Sequence, residues 1–447
     1  MNIIIVGAGE IGRHLAFSLS DEAHNITVFE ADETRAAELD DKIDARVLPG
    51  DGSSASVLIE AGVGECDLFF ALTSHNNTNL VASSVAKSLG AKTTICRVHP
   101  ELQRDEWLFD HRGHFGIDHL FSSERLSAVE LAKHIRHPDS LMVEEIARGR
   151  IELQQVIVES GSDVAGKTLV ELSLPARVRV GMVRRGTDRI IPGGSDTLNP
   201  GDLVTLFGEP RKLTDTVARF GRRESRHDKS NVVIFGGGEY GFSLAQMLES
   251  CNCKVRIFDR DPGVCEELTH RLTGTTVINA DATSLDELRE EQVGDADFFV
   301  ATTQSDEDNV MTCLQAHNLG TDNCLTLIHR ADYADAISHS GTKFGVLAAV
   351  SPREASRQEL LRFITSDRYH QVKKLDGAEI IEASVREGSK AAGKKISEIK
   401  WPQGTLLVAL VHGIHATVPT ADESINAGDN IYALVTDSTK RKLLKLL

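Results

Sequence analysis

No run of about 18 consecutive apolar residues occurs in this 447-residue chain, so the sequence offers no segment built to span a bilayer, and any membrane role has to pass through a partner. Positive charge is also short. Against 66 acidic side chains there are 49 Lys and Arg, a formal net charge of −17. That balance argues against a nucleic-acid partner, because phosphate contacts need a basic face. It argues equally against direct binding to anionic lipid. The seven cysteines are odd in number and irregularly spaced, so they form no disulfide framework. Cys251 and Cys253 read as ordinary thiols and a reducing compartment fits. The first residues enter a strand at once with no basic lead, so no signal peptide is expected. Low-complexity tracts are absent, and the 41% apolar content suffices for real cores. Length alone suggests about three domains.

What is present begins at the first residue. Asn2 to Val6 reads as a buried strand, Gly7-Ala8-Gly9-Glu10-Ile11-Gly12 follows, and Ile11, Leu15 and Leu19 fall on one face of a helix. Strand, G-x-G-x-x-G and helix in that order form a phosphate-binding turn. Gly7 allows the tight turn, Gly9 lets backbone approach a pyrophosphate, and Gly12 lets the helix pack close to the sheet. The helix N-terminus offers unpaired N–H groups to phosphate. Glu30 closes the next strand, Asn25 to Phe29, where a carboxylate accepts ribose hydroxyls and repels a 2′-phosphate. This favours NAD over NADP but does not separate NAD from ATP.

Further strands are expected at Arg46 to Leu48, Leu68 to Leu72, Thr93 to Cys96 and Asp118 to Phe121, with a helix from Glu124 to about Ile135. In an open α/β sheet the strand C-termini form the ligand crevice, which brings Thr73, Ser74 and Arg97 toward the glycines. Asp51 either touches the adenine side of a ligand or caps the helix from Ser53. Arg97 either neutralises pyrophosphate or pairs with Glu101 or Asp51. His111, His114 and His119 are too irregularly spaced for a metal site, and no metal is expected. Beyond about Asp139 short alternating strands appear, at Leu153 to Val158, Val178 to Arg184 and Leu203 to Gly208, separated by turn signals. This is a compact α+β module. A polar stretch, 222–230, reads as a linker.

The chain then starts again. Gly236-Gly237-Gly238-Glu239-Tyr240-Gly241 follows the strand Asn231 to Phe235. Gly7 to Gly236 and Glu30 to Asp259 are separated by 229 positions, and Asp51 to Asp281, Thr73 to Thr303 and Asn79 to Asn309 by 230. Arg97 is matched to Arg330, at 233. The modules repeat too: Gly201-Asp202 recurs as Gly428-Asp429, at 227. The expected organisation is therefore a nucleotide-binding domain over 1–138, a small module over 139–221, the linker, a second nucleotide-binding domain over 231–365 and a second module over 366–447.

These features resemble the TrkA family, cytosolic regulatory subunits of Trk potassium uptake systems. The resemblance rests on Ile3-Ile-Ile-Val-Gly-Ala-Gly-Glu-Ile-Gly12, Phe29-Glu30, Gly50-Asp51-Gly52, Ala71-Leu-Thr-Ser74, Cys96-Arg97-Val98, the tandem copy, and Ala427-Gly-Asp429 after Thr417-Val-Pro419. It covers essentially the whole chain. It implies two Rossmann-like RCK (KTN) lobes with doubly wound parallel sheets, each followed by a small α+β TrkA-C domain. It also implies a homotetramer whose eight RCK lobes form a ring beneath a TrkH- or TrkG-type potassium channel, peripheral at the inner face of the membrane, with NAD(H) or ATP/ADP in the crevices gating the channel. Carried over by position, the first site is Gly7 to Gly12, Glu30, Asp51, Thr73, Ser74 and Arg97. The second is Gly236 to Gly241, Asp259, Asp281, Thr302, Thr303 and Arg330. Glu10 and Glu239 sit where a triphosphate would be repelled, which favours NAD(H). Helix faces near Glu124 to Ile135 and near Glu354 to Ile364 are candidate pairing surfaces; Leu126, Val129 and Leu131 fit such a face, and packing within the domain explains them equally.

The rival reading is an NAD-dependent dehydrogenase. Hydride transfer needs a positioned acid or base beside the nicotinamide. His412 and His415 are the candidates in the second module, and the matching stretch Val183 to Asp188 of the first has no histidine. No catalytic residue is therefore assigned.

Overall fold

The computed structural model describes the chain outside residues 21–23, 105–107, 138–139, 141, 148–149, 187, 222–228, 250, 252, 331–332, 335, 338–344, 365–368, 376, 403 and 413–414. Most of the expected linker and the expected boundaries at 138/139 and 365/366 lie outside the described residues.

Strands β1 (Asn2–Val6), β2 (Asn25–Glu30), β3 (Arg46–Pro49), β4 (Leu68–Ala71), β5 (Thr93–Arg97) and β6 (His119–Phe121) form one sheet in the order 3-2-1-4-5-6. All its pairings are parallel. The order reverses between β1 and β4, which opens a crevice at their C-terminal ends. Ile3 to Val6 of β1 and all of β4 are unbroken apolar runs, as suits a sheet covered by helices on both faces. Ile4, Val6, Phe69 and Ala71 pack with Leu58, Ala82 and Ala86 in one buried core.

The second half repeats this plan. β7 (Ser230–Phe235), β8 (Cys253–Asp259), β9 (Thr275–Asn279), β10 (Phe298–Ala301), β11 (Asn323–Leu327) and β12 (Val346–Val350) follow the order 9-8-7-10-11-12, again parallel. Its core gathers Val233, Phe258, Phe299, Cys313 and Cys324. The seven cysteines are free thiols.

By internal contacts, Met1–Ala132 and Asp228–Phe363 form one compact unit, while Lys133–His227 and Ile364–Leu447 form another. Within the first, helix α1 (Glu10–Ser20) packs on the helix Pro352–Leu361 of the second half. The helix expected near Glu354 to Ile364 as a pairing surface thus packs on α1 of the first half. His14 Nε2 lies 3.5 Å from Glu354 Oε2, and Ser356 Oγ donates to Ser123 Oγ at 3.1 Å. In the second unit the two small modules pair two five-stranded antiparallel sheets. Ile151, Leu153, Met182 and Phe207 of the first share a core with Ile380, Val408, Tyr432 and Leu434 of the second. The strand Met142–Ile146 and the helix Pro210–Val217 complete the first module beyond the expected strands.

Burial alone would raise the Glu354 pKa, but hydrogen bonds from Arg357 and His14 outweigh it and hold the carboxyl well below its ordinary 4.5. The stabilisation from this ionised group is therefore complete above about pH 4.5 and drains away as pH falls below it. Thermal melts of wild type and Glu354→Gln should accordingly show a gap that is widest near neutral pH and narrows below pH 4.5. A gap that does not change with pH would contradict the assignment.

Candidate functional site

Gly7 leaves β1 with φ +98°, and a Cβ there would lie 2.9 Å from the Thr73 backbone nitrogen. A Cβ on Gly12 would sit 1.9 Å from the Gly7 carbonyl oxygen. α1 therefore starts directly on the turn because position 12 has no side chain. Around Gly9, by contrast, nothing lies within 4 Å of an added Cβ. The second half reproduces all three conditions at Gly236 (φ +101°), Gly241 and Gly238. One glycine in each loop is thus kept bare against open space, where a ligand backbone contact would fall.

Glu30 ties the loop down. Its Oε2 accepts from Ala8 N at 2.9 Å and its Oε1 from Asp32 N at 3.0 Å. Asp259 does the same with Gly237 N at 2.7 Å and Asp261 N at 2.9 Å. Asp51 accepts from both the backbone and the hydroxyl of Ser53, and the hydroxyl bond first, then the backbone bond, lower its pKa. The following helix begins at Ala55 with Ser54 at its cap, so Asp51 holds the turn rather than capping a helix from Ser53. Asp281 repeats this with Thr283.

The β4 end is locked by Asn79, a buried residue that was outside the expected site. Its Oδ1 accepts from Thr73 N (2.9 Å) and Thr73 Oγ1 (2.6 Å), and its Nδ2 donates to the Thr73 and Arg97 carbonyls, each at 2.9 Å. Asn309 makes the equivalent bonds to Thr303 and to the Leu327 carbonyl. This register corrects the matching of Arg97 to Arg330. Ala71 pairs with Cys96 and Ala301 with Thr326, so Leu327 occupies the place of Arg97. The parallel bonds of His99 N to Asn76 and His329 N to Asp306 match His329 with His99. Arg330 lies beyond the strand with its guanidinium over Tyr333. Thr302 is buried, its hydroxyl spent on the Phe235 and Gly236 carbonyls. Arg97 pairs with neither Glu101 nor Asp51 but reaches Glu124 at 3.4 Å.

A cavity of about 680 Å³ opens beside the first glycine loop, a size that suits a nucleotide-sized ligand. Gly7, Gly9, Glu10, Ile11, Glu30, Asp51, Thr73, Ser74 and Arg97 all line it. Ala8 borders an adjoining hollow of about 290 Å³, and Gly12 packs beneath the turn. The wall opposite comes from the second half: Tyr240, His329, Pro352 and Arg353. Tyr240, expected in the second site, thus lines the first cavity, and burial followed by nearby Glu124 raises its pKa. Glu239 lies 3.6 Å from Arg271. His99, Glu101 and Glu239 each bring one ligand atom within 4.8 Å of the others, but Glu239 is already paired with that arginine. Of the three histidines first considered for metal, His111 and His114 pack around Phe109, and His119 packs on Phe363.

The candidate acid of the dehydrogenase reading has another task. His412 Nδ1 lies 2.6 Å from Asp429 Oδ1, just as Arg185 pairs with Asp202 in the first module. His415 stands across the same hairpin, paired with His412 in register.

TrkA-N domain descriptions match residues 3–123 and 232–352, and TrkA-C domain descriptions match residues 153–221 and 380–447. The chain belongs to the TrkA family. A relative from Halomonas elongata, Trk system potassium uptake protein TrkA, is 33% identical over 98% of this chain and 97% of its own length. Trk system potassium uptake protein TrkA homolog 1 of Methanosarcina mazei is 31% identical over 96% of each. Among solved structures the GsuK RCK domain superposes with TM-score 0.61 at 18% identity, covering 99% of this chain and 94% of its own. The NAD-bound GsuK channel gives the same score at 19% identity, over 100% of this chain and 78% of its own. These neighbours establish the tandem RCK fold for this TrkA family member. Among the described residues no helix is long and apolar enough to cross a membrane.

The glycines predict a separable pair of effects. Gly12→Ala drives a methyl into backbone and should lower the melting temperature markedly, by a cost of at least about 1–3 kcal/mol. Gly9→Ala meets only open space and should melt like wild type while losing nucleotide affinity. Equal melting of the two variants would contradict the packing described.

Proposed function

We propose that this chain is a nucleotide-sensing regulatory subunit of a potassium uptake system, with no enzymatic turnover of its own. The observation that carries the reading is the first cavity. A bare Gly9, a ribose-side carboxylate at Glu30 and the N-terminus of α1 converge there, and residues of the opposite half close it. The relatives carry the name of the Trk potassium uptake system, and the GsuK fold is known with NAD and with ADP bound.

NAD(H) is the ligand this cavity favours. Gly9 leaves room for the pyrophosphate, and Glu30 keeps free lone pairs for ribose hydroxyls beyond its two backbone bonds. Glu10, on the cavity lining, disfavours a γ-phosphate and so counts against ATP; ATP and ADP are kept as secondary candidates. The site residues in this role are Gly7 to Gly12, Glu30, Asp51, Thr73, Ser74 and Arg97. In the second half the corresponding set is Gly236 to Glu239, Gly241, Asp259, Asp281 and Thr303, with Leu327 holding the strand-end position that Arg97 has in the first.

Ligand occupancy acts on the contact between halves, because the two walls belong to different RCK lobes. A ligand that prefers one arrangement tenfold biases it by about 1.4 kcal/mol per site. In a homotetrameric ring of eight lobes such biases sum, and the ring would act on a TrkH- or TrkG-type channel. The chain would then sit in the cytoplasm, peripheral at the inner membrane face through that partner.

Calorimetry of NADH on the full chain tests the site. Glu30→Ala should weaken binding by about 1.5–3 kcal/mol, the value of a charged hydrogen-bond pair, and unchanged affinity would remove Glu30 from it. Wild type should show no oxidation of NADH with common keto acids; robust turnover would restore the dehydrogenase reading.

A further inference from the structure

The two halves are copies, but they do not place charge in the same positions. Phe121 pairs with Arg97 at the end of β5, and Val350 pairs with Leu327 at the end of β11. Counting three residues on from each strand end gives Glu124 in the first half and Arg353 in the second. The first half therefore carries an Arg–Glu pair, Arg97 with Glu124. The second half carries leucine at the strand end and an arginine at the helix start. A carboxylate has become a guanidinium at one of two equivalent positions, and its strand-end partner has become apolar.

Arg353 lies against the crevice of the other half. With Pro352 it lines the cavity that holds Gly7, Gly9 and Glu10 of the first half. Its Nε is buried with no hydrogen-bond partner among the described residues. So is Nε2 of His329 on the same wall, while His329 Nδ1 is held by Asp306 at 3.0 Å. Arg353 sits in the first turn of the helix Pro352–Leu361, whose cap residue Ser351 makes no side-chain capping bond. Unpaired buried donors are costly, and a guanidinium at the positive end of a helix is suited to phosphate. Two first-half arginines also line the cavity: Arg97, which reaches Glu124, and Arg35, in the helix that follows Glu30.

We propose that Arg353 is the phosphate-anchoring residue of the first crevice, supplied by the opposite half, and that it selects ligands carrying a pyrophosphate. The inference rests on the nucleotide-binding reading above and adds a residue that lies outside both glycine-loop sites. It makes the first crevice a composite of both halves: a phosphate bound there bridges α1 to the helix Pro352–Leu361. The first and second crevices are then unequal, because the equivalent position of the first half offers Glu124 instead of a cation.

The test uses the full chain and calorimetry with NADH and with adenosine, which lacks phosphate. Arg353→Gln should weaken NADH binding roughly tenfold or more and leave adenosine binding unchanged. Arg353→Lys, which keeps the charge but not the bidentate fork, should fall between. NADH affinity that is the same in wild type and Arg353→Gln overturns the inference while leaving the nucleotide site intact. Parallel weakening of NADH and adenosine also overturns it, by making Arg353 a determinant of cavity shape. Failure of wild type to bind NADH would remove the underlying nucleotide reading and the inference with it.

Discussion

The seat of α1 on the Gly7 turn is the contact on which the rest of the first unit depends. No atom larger than hydrogen fits between Gly12 and the Gly7 carbonyl. That closeness directs the first N–H groups of α1 at the cavity and brings His14 of the same helix to Glu354 of the other half. One steric condition thus sets both the ligand-facing end of the helix and its grip on the second lobe. Glu30 reinforces it by fixing Ala8 N, so the acid that would meet a ribose also keeps the loop from opening.

Much of this was legible in the residues. The strand, glycine and helix order at Asn2–Ser20, the acid at the end of β2 and the 229–230 spacing specify two parallel sheets and the side of each where a ligand lies. These features are local, fixed by backbone sterics and alternation, and a single sequence carries them. The small modules were legible as alternating strands, though their shared core was not, because nothing in one strand says which other module it meets.

What could not be read depends on contacts between distant segments. Tyr240 belongs by pattern to the second loop and by position to the first cavity. Arg97 had a salt-bridge partner foreseen nearby in the chain, but the register with β6 delivers Glu124 instead. The match of Arg97 with Arg330 failed because like residues were aligned, whereas the carbonyl that accepts from Asn309 belongs to Leu327. Asn79 was visible as a repeated residue; its task of holding two strand ends together appears only with the hydrogen bonds in view. Duplication preserves the frame, and the differences between the copies, Ile11 against Tyr240 and Glu124 against Arg353, are where the two crevices acquire separate chemistry.

On this reading a ligand in the first crevice is gripped by both halves of one chain. Hydrogen–deuterium exchange of the full chain with and without NADH tests this most directly. Exchange should slow in the Gly7–Leu15 segment and in the Pro352–Leu361 helix together. Protection confined to the first segment, or absent from both, would contradict it.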